Sequence, residues 1–144
     1  MFYGNSVPDV RLQFFTSWSK YKQQQPLLPL EQQIVLVILD HPEYQAMLDE
    51  IPEHPDHVYF PELGETNPFL HMGLHLAIRE HIATNRPLGM TAVFDQLTLS
   101  QSCAKAAEHL IMECLAECLW LAQRHQTMPD ETHYLNACQQ LLLK

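Results

Sequence analysis

The stretch from Asn67 to Asn85 constrains the fold most, because it has the pattern of a capped helix that is apolar on nearly every side. Asn67 can act as the N-cap, and Pro68 suits the first helical position. Apolar residues then follow in almost all directions around the helix axis: Phe69, Leu70, Met72, Leu74, Leu76, Ile78 and Ile82. A helix with this pattern is expected to be largely buried.

This apolar helix also carries His71 and His75. At about 100° per residue the two side chains lie about 40° apart, with Ile82 between them and Ile78 beside them. Two imidazoles on successive turns of a buried face need polar partners. The pair therefore indicates a metal site. The alternative stays open, since nine histidines make an HxxxH spacing common by chance and a buried histidine often donates to a backbone carbonyl.

Length and composition set the class of protein. A chain of 144 residues fits a single domain over residues 1–144 with a proper core. No CxxC pair and no signal-peptide pattern occur, which predicts reduced thiols and a cytoplasmic location for the four cysteines, Cys103, Cys114, Cys118 and Cys138. The longest apolar run, Ile34 to Leu39, is far shorter than the roughly 20 residues that span a bilayer.

The charge balance excludes some partners. The net charge is −9, from 8 basic and 17 acidic residues, so the chain has no electrostatic footprint for nucleic acid or for an anionic membrane. Four glycines are too few for a phosphate-binding loop or a β-rich protein. We therefore expect no nucleic acid and no membrane as partners.

Prolines and capping residues divide the chain into helices. The predicted helices run from Ser6 to about Tyr21, from about Leu30 to Asp40, from Glu43 to Glu50, over the central stretch, from Thr91 to about Leu99, from Ser102 to His125, and onward from Asp130. Residues 51–66 are predicted to form an ordered loop. No strand pattern occurs, so we predict an all-α fold, an antiparallel helical bundle of four main helices with one or two short additional helices.

Further metal ligands are predicted on two neighbouring helices. On the longest helix His109, Glu113 and Glu117 follow one another at i+4 steps, and on the second helix Glu31 projects among apolar residues. Imidazoles and carboxylates at such spacings chelate zinc, iron or manganese in bundle cores. The predicted ligands are His71, His75, His109, Glu113 and Glu31. One metal would take the three histidines and a carboxylate, whereas two metals would share Glu113 or Glu31 as a bridge.

Three residues are predicted to surround the ligands, and each has a structural alternative. Glu117 extends the ridge of the long helix by one turn. For His109 and Glu113 the favoured alternative is an ordinary solvated salt-bridge face, because Lys105, Glu117 and Arg124 share their side of the helix. His41 either approaches the rim of the site or packs under Tyr44, and the packing role is favoured. Arg79 either binds a carboxylate or phosphate group of a substrate or pairs with Glu113 or Glu117, and the ion pair is favoured. Glu31 likewise suits the N-terminal end of its helix dipole.

Several blocks of the sequence resemble one known family. MFYGNS, LEQQIVLVILDHPEY, ELGETNPFLHMGLHLAIREH and AEHLIMECLAECLWLAQR are similar to the small bacterial family catalogued only as domain of unknown function 1841. The similarity extends over nearly the whole chain and implies a stand-alone bacterial protein, but it implies no activity. The predicted ligands and Glu117 all lie inside these blocks, whereas His54, His57 and His125 lie outside them.

Three functions stay open at this point. The first is a metal-dependent hydrolase or oxidoreductase acting on a small molecule, with Glu113 or Glu117 as base. The second is a metal sensor whose coordination positions are all filled by the protein. The third is a metal-free module that binds another protein or a second copy of itself.

Overall fold

The computed structural model describes residues 7–50 and 67–143, with side chains from Val10 onward. These residues form seven helices and no strand, so the predicted all-α class is confirmed. The helices are α1 (Val7–Lys22), α2 (Pro29–Leu39), α3 (Pro42–Leu48), α4 (Pro68–Thr84), α5 (Met90–Gln101), α6 (Ala104–His125) and α7 (Glu131–Leu141). Each matches a predicted helix to within a few residues. Outside the described residues lie the predicted helix start at Ser6 and the predicted loop over residues 51–66, which includes His54 and His57.

The helices begin where local chemistry favours a start. Proline occupies the first position of α2, α3 and α4, where a missing N–H costs no hydrogen bond. At α4 the Asn67 Oδ1 atom accepts from the backbone N–H groups of Phe69 and Leu70, at 3.0 and 3.1 Å. At α7 the Asp130 Oδ1 atom accepts from His133 N at 3.1 Å. Each cap satisfies donors that the helix itself leaves unpaired.

The turn from α4 to α5 is held by one side chain. Asn85 follows α4 in the left-handed conformation, with a φ of 54°. Its Oδ1 atom accepts from Gly89 N and from Thr91 N, both at 3.1 Å. Gly89 has a φ of 106°, which a residue with a Cβ adopts only with strain. This turn sets where α5 starts.

The chain divides into two compact units, Met1–Met72 and Gly73–Lys144. In the first unit α1 packs against α2 and α3. Phe14, Ile34 and Ile38 are fully buried there, and the Phe14 ring meets the Phe69 ring edge to face at 5.8 Å between centroids. Tyr21, near the end of α1, is 41% exposed and stacks on Trp18.

In the second unit α6 packs against both α5 and α7, and the end of α4 contributes to the same core. Fully buried members of this core are Ile78, Met90, Ile111 and Cys138. The prediction of one domain over residues 1–144 stays a prediction. None of the helices in the described part of the chain combines the length and the apolar character that crossing a membrane requires.

Candidate metal centre

The histidine pair of α4 lies one helical turn apart, as the sequence predicts. His75 is 3% exposed and His71 is half-buried. A third histidine, His41, is buried directly before the proline that begins α3. Its ring meets the His71 ring edge to face, with 5.0 Å between centroids, and stacks on Tyr44 on the other side at 5.6 Å.

His109 is the fourth histidine. It lies in the second turn of α6 and is exposed. Its ring meets the His75 ring at 4.9 Å between centroids with an interplanar angle of 78°. The pairs His41–His71 and His75–His109 therefore repeat one edge-to-face arrangement at each histidine of α4.

Candidate ligand atoms, one from each of His41, His71, His75 and His109, all lie within 4.8 Å of one another. In a tetrahedral zinc site with bonds of about 2.0–2.1 Å, neighbouring nitrogen ligands are roughly 3.3–3.4 Å apart. The upper limit of 4.8 Å among the four atoms is compatible with such a site. Such a group can hold a metal ion.

Hydrogen bonds fix the proton position in two of the rings. The Nδ1–H group of His41 donates to the backbone oxygen of Val37 at 2.8 Å, and a carbonyl oxygen can only accept. The Nδ1–H group of His75 donates to Glu108 Oε1 at 2.6 Å. In the neutral ring the lone pair then resides on Nε2. A histidine that binds a metal almost always donates its other N–H group in this way.

Glu108 is the acidic partner of this cluster. It is 7% exposed, and its Oε1 atom also accepts from Arg79 Nε at 2.9 Å. Burial by itself raises the pKa of Glu108, but the hydrogen bond from His75 and the charge and hydrogen bond of Arg79 outweigh burial and bring the pKa below its ordinary value. Glu108 is therefore a carboxylate at neutral pH.

The structure thus brings together three of the five predicted ligands, His71, His75 and His109, and it adds His41, for which the sequence favoured packing under Tyr44 over an approach to the rim of the site. Glu31 has other partners. It accepts from Lys20 Nζ and from the backbone N–H group of Leu28, both at 2.8 Å. These contacts cap the start of α2, in agreement with the alternative role at the helix N-terminus.

Glu113 and Glu117 are exposed on α6 and do not belong to the four-histidine group. Arg79 forms the ion pair that the sequence favoured, but its partner is Glu108 and neither Glu113 nor Glu117. His125, at the end of α6, is exposed, which fits an ordinary surface histidine. The assignment of metal ligands itself stays a prediction.

Sequence reasoning missed Glu108, although a signal was present. Met112 and Leu115 follow Glu108 at i+4 and i+7, and both are buried. A charged residue on that apolar face must have a polar partner. His109 and Glu113, in contrast, lie on the neighbouring face of α6, which is exposed to solvent.

Residues 6–140 match the model of the family described as Domain of unknown function (DUF1841). No curated protein and no solved structure matches the chain.

Proposed function

The chain belongs to the family described as Domain of unknown function (DUF1841), and from the geometry of its histidines we propose that it binds a divalent transition metal. The observation that carries the proposal is the group of four ligand atoms within 4.8 Å, one each from His41, His71, His75 and His109. The fixed Nδ1 protons of His41 and His75 support it, because they present Nε2 as the coordinating atom.

The donor set favours zinc among the metals that the sequence suggests. Imidazole nitrogen suits zinc, copper, nickel and iron, whereas manganese prefers carboxylate and water oxygen. Four nitrogen ligands also complete the tetrahedron that zinc adopts in structural sites. Among the described residues the group contains no carboxylate ligand, which argues for zinc over manganese.

The same donor set favours a filled, non-catalytic site over a hydrolase or an oxidoreductase. A catalytic zinc site keeps one coordination position for water, with three protein ligands. Here four histidines are available, and the residues expected to act as base, Glu113 and Glu117, are exposed outside the group. We therefore propose metal binding for sensing or stabilisation as the function. The cytoplasmic location and a second copy of the chain as partner stay predictions.

The test is metal analysis of protein purified without a histidine tag and without chelator. We expect about one equivalent of zinc, or uptake of one equivalent by the metal-free protein in competition with a chromophoric chelator. His41→Ala and His75→Ala should each weaken binding strongly. A folded wild-type protein that contains no metal and gains no stability from zinc, nickel, copper or iron would contradict the proposal and favour the metal-free interaction module.

A further inference from the structure

We infer that Glu108 is the residue that tunes the metal affinity of the four-histidine site, by orienting His75 and by offsetting the charge of the bound dication. The inference rests on the proposed function, since it concerns the same site. Glu108 is a positioning residue here, because its carboxylate acts through the His75 ring.

The first step of the argument is orientation. The His75 Nδ1 and Glu108 Oε1 atoms are 2.6 Å apart, and both side chains are buried, at 3% and 9% side-chain exposure. A hydrogen bond to a charged acceptor is shorter and stronger than one to a neutral acceptor. With Nδ1–H held by the carboxylate, the ring is fixed in the tautomer and rotation that make Nε2 a ligand.

The second step is charge. Four neutral imidazoles leave the full charge of a divalent metal uncompensated. Two of the four rings, His41 and His75, are buried, and on that side of the site an uncompensated charge is costly. The Glu108 carboxylate is hydrogen-bonded to one ligand ring, that of His75. Its negative charge would partly offset the positive charge that a bound metal places on that ring. His41 differs in this respect, because its Nδ1–H group donates to the uncharged backbone oxygen of Val37. Of these two oriented rings, His75 is therefore the stronger metal ligand.

The third step is the fixed position of the carboxylate. Arg79 Nε donates to the same Oε1 atom at 2.9 Å, and Arg79 lies one turn after His75 on α4. The carboxylate is thus held by two donors from a single helix. Its position is set before a metal binds, so ordering Glu108 costs little of the binding free energy.

The variant that separates charge from shape is Glu108→Gln. The glutamine side chain has nearly the same size, and its amide oxygen can still accept from His75 Nδ1–H, but it carries no charge. Loss of a partner of this kind typically lowers metal affinity by about 10- to 100-fold, and we expect a loss of zinc affinity in that range. Glu131→Gln is the matched control, because it makes the same replacement at an exposed carboxylate of α7, and it should leave the affinity unchanged.

Zinc affinity is measured by competition with a chromophoric chelator, and circular dichroism checks that the variants fold. Cobalt(II) substituted for zinc gives a second readout, since its visible spectrum reports the ligand field of the bound rings. Equal affinity and equal spectra for wild type and Glu108→Gln would overturn the inference while leaving the proposed function intact. An equal loss in Glu131→Gln would also overturn it, by showing a general effect of protein charge.

A measurement on the wild type keeps the inference testable if Glu108→Gln does not fold. Nitrogen-15 NMR of the zinc-bound protein should show His75 coordinated through Nε2, with a hydrogen-bonded proton on Nδ1. Coordination of His75 through Nδ1 would overturn the inference. A wild-type protein that binds no zinc at all would instead refute the proposed function, so the two failures are distinguishable.

Discussion

The replacement His109→Ala tests the metal site with little disturbance of the fold. The His109 side chain is exposed on α6, and replacements at exposed positions usually change stability by less than about 0.5 kcal/mol. The metal-free variant should therefore unfold at nearly the wild-type temperature. Its response to zinc should differ, because one of the four ligands is gone.

The expected difference follows from linkage. A ligand at about 100 times its dissociation constant stabilises the folded state by about 2.7 kcal/mol. With an unfolding entropy of about 2.1 cal/mol/K per residue, the 144-residue chain should gain about 9 °C in melting temperature. Loss of a residue that is hydrogen-bonded to a metal ligand lowers metal affinity by up to about 100-fold. Loss of the ligand itself should cost at least as much, so we take about 100-fold as the smallest expected effect. At the same zinc concentration the variant then gains only about 0.4 kcal/mol, or about 1 °C.

The assay is thermal unfolding followed by circular dichroism, with and without zinc, on tag-free protein stripped of metal. His125→Ala is the control, since it removes another exposed histidine of α6 and should keep the full wild-type gain. A His109→Ala variant that gains as much from zinc as the wild type would refute the assignment of His109 as a ligand. A similar loss in His125→Ala would show that surface histidines bind zinc without a specific site.

Two further predictions concern the helices around the site. A Cβ added at Gly73, inside α4, would meet no atom within 4 Å, so Gly73→Ala should raise the free energy of unfolding in urea by about 0.5–1 kcal/mol. Gly89 has a φ of 106°, so Gly89→Ala should lower the free energy of unfolding by about 1–3 kcal/mol. A Gly73→Ala variant that is less stable than the wild type would contradict the packing of α4. The hydrogen bond from Lys20 and, to a smaller extent, that from Leu28 N lower the pKa of Glu31 below 4.5. The ionised Glu31 carboxylate therefore stabilises the folded state above that pH, and this stabilisation is lost as the pH falls through the pKa of Glu31 in the folded protein. In an NMR titration Lys20→Met should raise the pKa of Glu31, and an unchanged pKa would show that Lys20 is not its partner.

The sequence by itself determined the helices, because the signals that start and stop them are local. Prolines at the first positions of α2, α3 and α4, and the side-chain cap at Asn67, act within one turn of the residue that supplies them. The histidine pair of α4 was predictable for the same reason, since the spacing within one helix fixes the angle between His71 and His75.

Tertiary structure alone decided which groups meet those side chains. Two contacts of the histidines join residues far apart in the chain: His41 meets His71 across 30 positions, and Glu108 meets His75 across 33. Helical periodicity specifies which face of a helix is buried but does not specify the partner of that face. Glu31 is an example of a predicted ligand for which tertiary structure supplies a different partner. Its position on the helical wheel suited a metal ligand, but a lysine of α1 lies within 2.8 Å of its carboxylate. Periodicity cannot select between two acceptable partners, because that choice depends on how the helices pack.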